Sequence, residues 1–381
     1  MSAKTILFHV ESLLGSGHSR RIDLIARACQ EMGMHPWLAT GHPWQDAANP
    51  LPYPLIPLPA GNVVDGNFSH MLDADGHLVD AVWWQHRAAM LRERIEAIRP
   101  AALVIEGFPF ARRRFRQEIL GLIGQVKSLR PTALIVSSIR DILQPRSPER
   151  EEAAQVWLQY FDRVLVHGDP QFIPLSTSCG FASKIESCCF YTGWVTPPTT
   201  ESSTDQQGTN IGLRGKGEVI VSTGGGAVGA ELLSVIAEAK GLSRHLRDVT
   251  WRVLVGHRGQ TIKPGTGIIV EPVRADFSTL LANCRVSISQ AGYNTVADLV
   301  TANAHAVLVP FEGSGEQEQL LRANRLAELG RATVVRETAL TATNLAAAVD
   351  RADRLPQSAP LAIDRAGANK TATLLRSWLE S

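Results

Sequence analysis

Three glycine-containing turns in this sequence have the composition of anion-binding loops. Each lies between a short apolar run and an amphipathic run, and they are Gly15–His18, Ser222–Ala230 and Ser289–Thr295. Glycine lets the backbone approach a ligand closely, and the start of a helix presents N–H groups without partners to a phosphate. The second turn holds three glycines in succession (Gly224–Gly226). It therefore favours diphosphate binding over an ordinary flexible turn.

His18 closes the first turn and is the residue best suited to proton transfer. An imidazole titrates near neutral pH, so at the start of a helix it could accept a proton from a hydroxyl. Glu11 and Glu106 are alternative bases. A helix-capping histidine in a structural turn is the other interpretation, and spacing alone does not decide between them. The first turn lacks the full dinucleotide-binding pattern and the second lacks the ending of a Walker loop, so no bound cofactor is predicted.

Two later segments carry side chains suited to ribose and sugar hydroxyls. Asp298 lies one helical turn beyond the third glycine turn, where its carboxylate could bind a ribose diol, while Asn294 or Thr295 could instead cap that helix. Glu318 and Gln319 begin another predicted helix, and an acid next to an amide suits sugar recognition. Acidic residues at this position also stabilise a helix dipole, so the pattern alone is ambiguous.

Arginines follow two predicted strands of the first half. Arg140 and Asp141 come after a strand that ends at Ser137, and the carboxyl ends of parallel strands are where such sheets bind ligands. We therefore assign both residues to the acceptor side of a site. The run Arg112–Arg114, followed by Arg116, is more typical of a solvated helix face.

Length and composition restrict the class of protein. The chain has 381 residues, is 44% hydrophobic and 20% charged, and carries a formal charge of +1. This favours a globular enzyme of two domains and argues against a sequence-blind nucleic-acid binder. No apolar stretch reaches the about 20 residues that span a bilayer, although contact with a membrane surface stays open. The five cysteines lack metal-ligand spacing, so we expect free thiols, a cytoplasmic location and no metal site.

The pattern along the chain predicts how these residues are positioned. Short β-rich runs alternate with amphipathic segments in both halves, which indicates an α/β protein with parallel sheets. The polar stretch 196–217 lacks periodicity and reads as a linker. We expect two Rossmann-like, doubly wound domains, 1–195 and 218–365, facing a cleft. A helix at 366–381 could pack back on the first domain.

Individual elements follow from the same pattern. The predicted strands are Thr5–Val10, Trp37–Ala39, Leu55–Leu58, Ala102–Ile105, Ala133–Ser137 and Arg163–His167, then Glu218–Ser222, Trp251–Val255, Ile268–Val270, Val286–Ser289, Val307–Val309 and Thr333–Val335. The predicted helix Ser19–Met32 has an apolar face formed by Ile22, Ile25, Ala26 and Cys29 at helical spacing. We expect that face to be buried.

In order along the chain, these segments resemble the inverting glycosyltransferases of the GT-B fold, above all family 28. The runs GGGAVGA, SQAGYNT and PFEGSGEQEQLLRAN stand in that family's order and approximate spacing, and GSGH resembles its first glycine loop. The stretches EGFPFARRRFR, SSIRDIL, VHGDP and YTGW resemble a separate branch of predicted glycosyltransferases. The resemblance implies a metal-independent enzyme that moves a sugar from a nucleotide-diphosphate donor, UDP-linked, to an acceptor hydroxyl.

The turns and the resemblance together assign residues to the donor. These residues are Gly17, Gly224, Gly225, Gly226, Gly229, Arg274, Gln290, Ala291, Gly292, Tyr293, Asn294, Thr295, Asp298, Glu318 and Gln319. The resemblance implies that the glycines contact the diphosphate and that the backbone at Arg274 holds uracil. It also implies that Asp298 binds the ribose, that Glu318 and Gln319 read the sugar, and that His18 lies near the reacting centre.

Two features of the sequence depart from the pattern of family 28. Ala227 replaces a hydroxyl residue of the family's phosphate loop, and Trp194–Val195 stand where peptidoglycan enzymes have an arginine, so a peptidoglycan acceptor is not predicted.

A nucleotide-sugar hydrolase or epimerase is an alternative function and would use the same cleft, with His18 activating water in a hydrolase. A non-catalytic nucleotide-sugar binding protein is the remaining alternative.

Overall fold

A computed structural model of the chain describes residues 4–13, 17–42, 44, 50–63, 70–197, 216–223, 229–256, 265–274, 276–313, 316–357 and 359–381. The chain forms two compact units. Unit 1 comprises Met1–Pro197 and Ile363–Ser381, and unit 2 comprises Pro198–Ala362. Each unit is a parallel sheet with helical connections, so the predicted α/β fold of two Rossmann-like domains is confirmed. Most of the predicted linker 196–217 lies outside the described residues.

Unit 1 is built on a seven-stranded parallel sheet with the order β3-β2-β1-β6-β7-β8-β9. The strands of this unit are β1 (Thr5–His9), β2 (His35–Thr40), β3 (Leu55–Pro57), β4 (Asn62–Val63), β5 (Met71–Leu72), β6 (Ala102–Glu106), β7 (Leu134–Arg140), β8 (Arg163–His167) and β9 (Cys189–Tyr191). β4 and β5 form a separate antiparallel hairpin. Ile6, Leu7 and Phe8 in the interior strand β1 are fully buried, which explains why that strand is a continuous apolar run.

Unit 2 is built on a six-stranded parallel sheet with the order β12-β11-β10-β13-β14-β15. Its strands are β10 (Val219–Ser222), β11 (Trp251–Val255), β12 (Ile268–Pro272), β13 (Val286–Ser289), β14 (Ala306–Leu308) and β15 (Ala332–Val334). The order reverses where β10 meets β13, and Ser222 pairs in register with Ser289. The second and third glycine turns therefore leave neighbouring strands at the same sheet edge, at a topological switch point.

Helices connect the strands of both sheets. They are α1 (Gly17–Glu31), α2 (Ala81–Ile98), α3 (Arg116–Leu129), α4 (Pro148–Leu158), α5 (Ala230–Leu242), α6 (Phe277–Asn283), α7 (Tyr293–Ala302), α8 (Glu318–Glu328), α9 (Ala342–Ala352) and α10 (Gly367–Glu380). Ile22, Ile25, Ala26 and Cys29 of α1 are fully buried, which confirms the predicted apolar face. Within the described part of the chain, the helices are too short or too polar to cross a membrane.

Helix α10 belongs to unit 1 although it follows unit 2 in the chain. The ring of Trp378 lies 4.9 Å from that of Phe190, edge to face. Near the end of the helix, Glu380 Oε1 lies 2.9 Å from Lys4 Nζ. The chain therefore returns to the first sheet after completing the second.

Helix α4 and strand β9 are among the elements of unit 1 that the sequence pattern did not predict. Helix α4 begins with Pro148 and has Glu149 and Glu151 in its first turn, which are helix-start signals. Only Ala154 and Leu158 of that helix are buried, so its apolar period is too weak to reveal it. Strand β9 has three residues, all partly exposed, and such a short edge strand leaves little alternation in the sequence.

Candidate active site

His18 and Glu106 lie in contact at the carboxyl edge of the unit 1 sheet. His18 Nδ1 is 2.7 Å from Glu106 Oε1. The Glu106 side chain is 1% exposed and that of His18 is 16% exposed. Strands β1 and β6 are parallel neighbours, so the start of α1 and the last residue of β6 meet although they are far apart in sequence. The fold thus brings together two of the residues predicted to act in proton transfer.

The contacts of His18 determine which ring nitrogen carries the proton. A carboxylate only accepts hydrogen bonds, so the contact with Glu106 requires the proton on Nδ1. Arg140 Nη2 lies 3.3 Å from Nε2, and because a guanidinium only donates, Nε2 carries the lone pair. Arg21 Nη2 is 3.2 Å from Nδ1 but makes its shorter contact with Glu106 Oε1. Nε2 is therefore the atom of His18 that can accept a proton.

Burial keeps His18 neutral and the ion pairs keep Glu106 charged. Desolvation is the main cause that lowers the pKa of His18 to about 3, and Arg112 and Arg140 add to the effect against the opposing influence of Glu106. Burial alone would raise the pKa of Glu106, but Arg21 and His18 hold it far below its usual range. A neutral imidazole oriented by a carboxylate is the arrangement of a general base.

Glu11 belongs to a separate buried network. Its carboxylate accepts a hydrogen bond from Arg87 and, at 3.3 Å, from the backbone N–H of Gly41. Arg87 is fully buried and also binds Glu118, with Nε 2.6 Å from Oε2, while His9 Nε2 lies 3.0 Å from Glu118 Oε1. The guanidinium already supplies the cation between these acids, so this network gives no support to a metal site or to Glu11 as a base.

His9, Glu11 and Glu118 form one cluster of possible metal ligands, and a second cluster lies outside the site. In the described residues, Asp73, Asp75 and His77 have ligand atoms close enough to share an ion, but the cluster is largely exposed. The Asp73 carboxylate accepts the backbone N–H groups of Asp75 and His77 at 3.0 and 2.9 Å. These contacts are those of a self-bonded turn.

Arg112 corrects the prediction that the arginine run is a solvated helix face. Its backbone is left-handed, with φ 60°, and its Nε donates to the backbone oxygen of Glu11 at 2.7 Å. Burial lowers the pKa of Arg112 to about 10. Arg113 and Arg114 are exposed, as predicted. The left-handed turn gives Arg112 a different environment from its neighbours, and residue type alone does not signal such a turn.

The two residues assigned to the acceptor side have different surroundings. Arg140, the last residue of β7, reaches His18. Asp141 is 1% exposed and its Oδ1 accepts the N–H of Ile142 at 2.9 Å. A Cβ at Gly168 would lie 2.4 Å from the Cβ of Asp141, so the two segments are in tight contact. The geometry favours Arg140 as the functional member of the pair and Asp141 as a residue that shapes the turn.

In unit 2 the second glycine turn is described only at its two ends, because its middle, including Gly224, Gly225 and Gly226, lies outside the described residues. Gly229 immediately precedes α5 and has φ 129°, and a Cβ there would lie 2.8 Å from the Cβ of Thr223. Only glycine fits this conformation and this approach. The turn therefore places the start of α5 tightly against the end of β10.

Gln319 joins the loops that follow β13 and β14. Its Oε1 accepts hydrogen bonds from the backbone N–H of Ala291 and of Phe311, each at 3.1 Å. Two backbone donors on one atom identify it as the amide oxygen. The side chain thus holds the third glycine turn beside the loop before α8. It brings Gln319 into contact with Ala291, another residue predicted for the donor.

Glu318 and Tyr293 are linked through an arginine that was not among the predicted residues. Arg322 Nη1 lies 2.6 Å from Glu318 Oε1, and the side chains of this pair are 0% and 3% exposed. The Arg322 guanidinium carbon is 5.3 Å from the centre of the Tyr293 ring. This buried pair connects the first turns of α7 and α8. The contact favours a positioning role for Glu318 over direct contact with a sugar.

The other residues predicted for the donor lie around the same sheet edge. Gly292 precedes α7, whose first turn holds the exposed Asn294 and the partly buried Thr295. Asp298 lies in the next turn and is also partly buried. Gln290 is partly buried. In unit 1, Gly17 begins α1 and is exposed, while the preceding Gly15 and Ser16 lie outside the described residues.

Arg274 has its side chain engaged by acids. It makes a two-point contact with Asp276, at 2.8 and 2.9 Å, and its Nη1 lies 3.3 Å from Glu271 Oε2. The Asp276 hydrogen bond is the largest cause that raises its pKa. Any contact of this residue with a base would therefore come from its backbone, as the resemblance implies.

Several residues of the unit 1 site were not singled out from sequence. Ser138 Oγ lies 2.5 Å from Glu106 Oε2, and Arg21 Nη2 donates to Oε1 of the same carboxylate. Ser138 stands in register with Glu106 on the neighbouring strand. Polar residues near the ends of adjacent parallel strands were the available signal, since such ends meet at one edge.

Comparison with known proteins identifies a family for the C-terminal part of the chain. Residues 220–375 match the Glycosyltransferase family 28 C-terminal domain. The UDP-N-acetylglucosamine--N-acetylmuramyl-(pentapeptide) pyrophosphoryl-undecaprenol N-acetylglucosamine transferase of Thermotoga neapolitana is 29% identical over 129 residues, which cover 33% of this chain and 38% of that relative. The resemblance to family 28 predicted from the motifs is thus confirmed.

Solved structures extend the similarity along the whole chain. MurG of Acinetobacter baumannii superposes with a TM-score of 0.57 at 14% identity, covering 98% of this chain and 99% of that chain. The spinosyn forosaminyltransferase SpnP superposes with a TM-score of 0.62 at 14% identity, covering 100% and 96%. At such identities the likeness establishes the fold, and that fold is GT-B.

Proposed function

We propose that this chain, which has the GT-B fold and carries a family 28 C-terminal domain, is an inverting glycosyltransferase. It moves a sugar from a UDP-linked donor to an acceptor hydroxyl and uses no metal. The observation that carries the proposal is the neutral His18, whose Nδ1 lies 2.7 Å from the buried carboxylate of Glu106. The donor class is supported by the Thermotoga relative, whose name specifies a UDP-sugar.

His18 is the base in this proposal. In this step the acceptor hydroxyl replaces Arg140 as the donor to His18 Nε2. As the acceptor oxygen attacks the anomeric carbon, its proton passes to Nε2 and the bond from that carbon to the diphosphate breaks. A single displacement of this kind inverts the anomeric centre. Glu106 stabilises the imidazolium that forms, as the acid of a catalytic triad does. Glu106 accepts hydrogen bonds from three side chains and Glu11 is bound by Arg87, so neither carboxylate is well placed to take the proton.

Unit 2 binds the donor. The N-terminus of α5, which follows Gly229, stabilises the leaving diphosphate through backbone N–H groups and the helix dipole. This contribution grows as negative charge develops on the leaving oxygen, and it takes the place of a bound metal ion. Asp298 binds the ribose, and the amide nitrogen of Gln319 contacts the sugar while its oxygen holds the two loops.

The first test is a donor screen with the purified full chain. UDP, UDP-hexoses and UDP-N-acetylhexosamines are compared with dTDP-sugars by thermal shift, since a ligand that binds only the folded state raises its melting temperature. Donors that bind are then incubated with EDTA, with and without pooled hydroxyl acceptors. We expect UDP release that depends on acceptor and persists in EDTA. Binding of no uridine nucleotide would overturn the donor assignment, and rapid release of free sugar without acceptor would favour a hydrolase.

The second test concerns the base. His18→Gln should lower kcat on the order of 10²–10⁴-fold, the usual contribution of general-base catalysis. Its matched control is His35→Gln, because His35 is an exposed residue at the amino end of β2, the opposite edge of the same sheet. Full activity in His18→Gln would remove His18 from the base role, and an equal loss in both variants would indicate a general effect on folding.

A further inference from the structure

A row of buried polar side chains continues beyond Glu106 across the unit 1 sheet. Glu106 pairs in register with Ser138 on β7, and Arg140 of β7 pairs with His167 on β8. Thr192 follows β9. Ser138, His167 and Thr192 are fully buried. Polar side chains enclosed in this way are costly unless each finds a partner.

Neighbouring side chains in this row lie within hydrogen-bond distance of each other. Ser138 Oγ lies 2.5 Å from Glu106 Oε2 and 2.9 Å from His167 Nε2. On the other side of the ring, His167 Nδ1 lies 2.9 Å from Thr192 Oγ1. Together with the His18 contact, the side chains form one chain of contacts that runs Thr192, His167, Ser138, Glu106, His18.

The chemistry of the groups fixes the direction of these hydrogen bonds. A hydroxyl has one proton, and the ionised Glu106 can only accept, so Ser138 donates to the carboxylate. The Ser138 oxygen must then accept from His167, which places the proton of that ring on Nε2. Nδ1 of His167 therefore has a lone pair, which faces the Thr192 hydroxyl. That hydroxyl also lies 3.0 Å from the backbone oxygen of Gly193, so Ser138 and His167 set the direction of the row toward Glu106.

We propose that Ser138 and His167 are positioning residues of the proton-transfer site, which hold the Glu106 carboxylate so that its Oε1 meets His18 and keeps the proton of His18 on Nδ1. Thr192 ends the row, beside the unprotonated Nδ1 of His167. This inference rests on the proposed function for its catalytic meaning, but the tautomers themselves do not depend on it. It assigns a role to a second histidine, His167.

The arrangement has a physical rationale. One carboxylate oxygen is bound by Arg21 and His18 and the other by Ser138, so rotation of the carboxylate would break contacts at both oxygens. Neutral donors provide this restraint without adding a charge, which a lysine or arginine would do. Desolvation lowers the pKa of His167 to about 3, so the ring stays neutral and the direction of the row holds from mildly acidic to basic pH.

Two substitutions of His167 test the roles of its two ring nitrogens separately. The amide nitrogen of glutamine can take the position of Nε2 and still donate to Ser138, whereas the shorter asparagine reaches only the Nδ1 position. His167→Gln should therefore preserve the row and His167→Asn should break it. Ser138→Ala breaks it at the next step and removes only a hydroxyl group, so it serves where His167→Asn fails to fold.

Long-range proton–nitrogen NMR of the full chain at pH 7 reads the tautomers directly. The two rings are assigned by the signals lost in His18→Gln and His167→Gln. We expect His167 protonated at Nε2 and His18 protonated at Nδ1, with His18 unchanged in His167→Gln and shifted toward a mixture of tautomers in His167→Asn and Ser138→Ala. His167 protonated at Nδ1, or an unchanged His18 spectrum in both row-breaking variants, would overturn the inference.

Kinetics then test the catalytic consequence. In His167→Asn and Ser138→Ala we expect kcat to fall on the order of 10-fold, the scale found for partners that orient a site residue. The KM of the donor should be unchanged, and His167→Gln should keep near-normal kcat. Equal losses in the glutamine and asparagine variants would contradict the positioning role. Absence of transfer by the unmodified chain with every donor would overturn the proposed function while leaving the NMR result intact.

Discussion

The two units treat charge differently at the carboxyl edges of their sheets. Unit 1 buries ionisable side chains there: Arg21, Glu106, Arg87 and Glu118 are each less than 9% exposed. In unit 2 the same edge is formed by glycine turns, such as the one that ends at Gly229, and by backbone N–H groups held by neutral side chains. Its charge pairs are mostly part-exposed, with the Glu318–Arg322 pair as the buried exception.

This difference matches the two halves of the proposed reaction. Proton transfer needs side chains whose pKa values are set by burial and partners. Holding a diphosphate needs many N–H groups at short range, and these come from the backbone. We therefore expect changes in unit 1 to alter kcat and stability, and changes in unit 2 to alter donor binding. The predictions below test this separation.

The largest effect is expected for Glu106→Gln. Removing this charge leaves the buried Arg21 without its ionic partner, which costs about 3–5 kcal/mol of the free energy of unfolding. It also removes the group that stabilises the His18 imidazolium, so kcat should fall about 10²–10³-fold. The affinity for UDP, measured by titration calorimetry, should be unchanged because unit 2 is intact.

The control for this variant is Glu328→Gln. Glu328 pairs with Arg325, and their side chains are 64% and 32% exposed, so this exposed pair contributes less than about 1 kcal/mol. Its kcat should equal that of the unmodified chain. A weaker affinity for UDP in Glu106→Gln, or an equal loss of stability in the control, would contradict the separation between the units.

A second prediction concerns Gly229→Ala in unit 2. The left-handed φ of 129° and the 2.8 Å approach to Thr223 make this substitution cost about 1–3 kcal/mol. Displacement of the turn should weaken UDP binding by about 10-fold or more, about 1.4 kcal/mol, with little change in kcat at saturating donor. Titration calorimetry and steady-state kinetics measure the two effects.

Gly241→Ala is the matched control within the same helix. A Cβ at Gly241 meets nothing within 4 Å, so alanine there should stabilise the chain by about 0.5–1 kcal/mol. UDP affinity should not change. If both alanine variants bind UDP equally well, the turn before α5 is not part of the donor site.

Two substitutions of Gln319 test whether it both holds the loops and contacts the sugar. Gln319→Glu keeps an oxygen for the N–H groups of Ala291 and Phe311 but loses the amide nitrogen, so the affinity for UDP-sugar should fall about 3- to 10-fold relative to UDP. Gln319→Met loses the oxygen as well and should lower the free energy of unfolding by about 1–3 kcal/mol. Equal weakening of UDP and UDP-sugar binding would remove Gln319 from sugar recognition.

A further prediction concerns the pH dependence of stability. His18 and His167 each have a pKa lowered from 6.5 to about 3 in the folded chain. Between about pH 3 and pH 6.5 the unfolded chain binds more protons than the folded chain. The stability is therefore fully present above pH 6.5 and falls as the pH is lowered. Each histidine contributes a slope of up to about 1.4 kcal/mol per pH unit. Urea unfolding at pH 7 and pH 5 measures this loss, and His167→Gln should show a smaller loss than the unmodified chain.

The sequence was sufficient to predict the fold and to single out His18 and Glu106 as candidate bases, but it did not predict their contact. Parallel strands and the buried face of α1 followed from apolar periodicity, and the glycine turns identified the edge of the unit 2 sheet. Arg112 was misread because a single left-handed residue changes the environment of a side chain, and no residue type requires it there. His167 and Arg322 were missed because their partners lie on other elements, and only the assembled sheet brings such residues together.

The return of α10 to unit 1 makes unit 2 an insertion between two segments of the first sheet's unit. During synthesis, a nascent chain of 362 residues contains all of unit 2 but lacks the residues that complete unit 1. Because nascent chains fold from their N-terminal parts onward, unit 2 can complete its core before Trp378 reaches Phe190. Unit 1, which contains His18, therefore begins to fold first and can finish only after α10 is made.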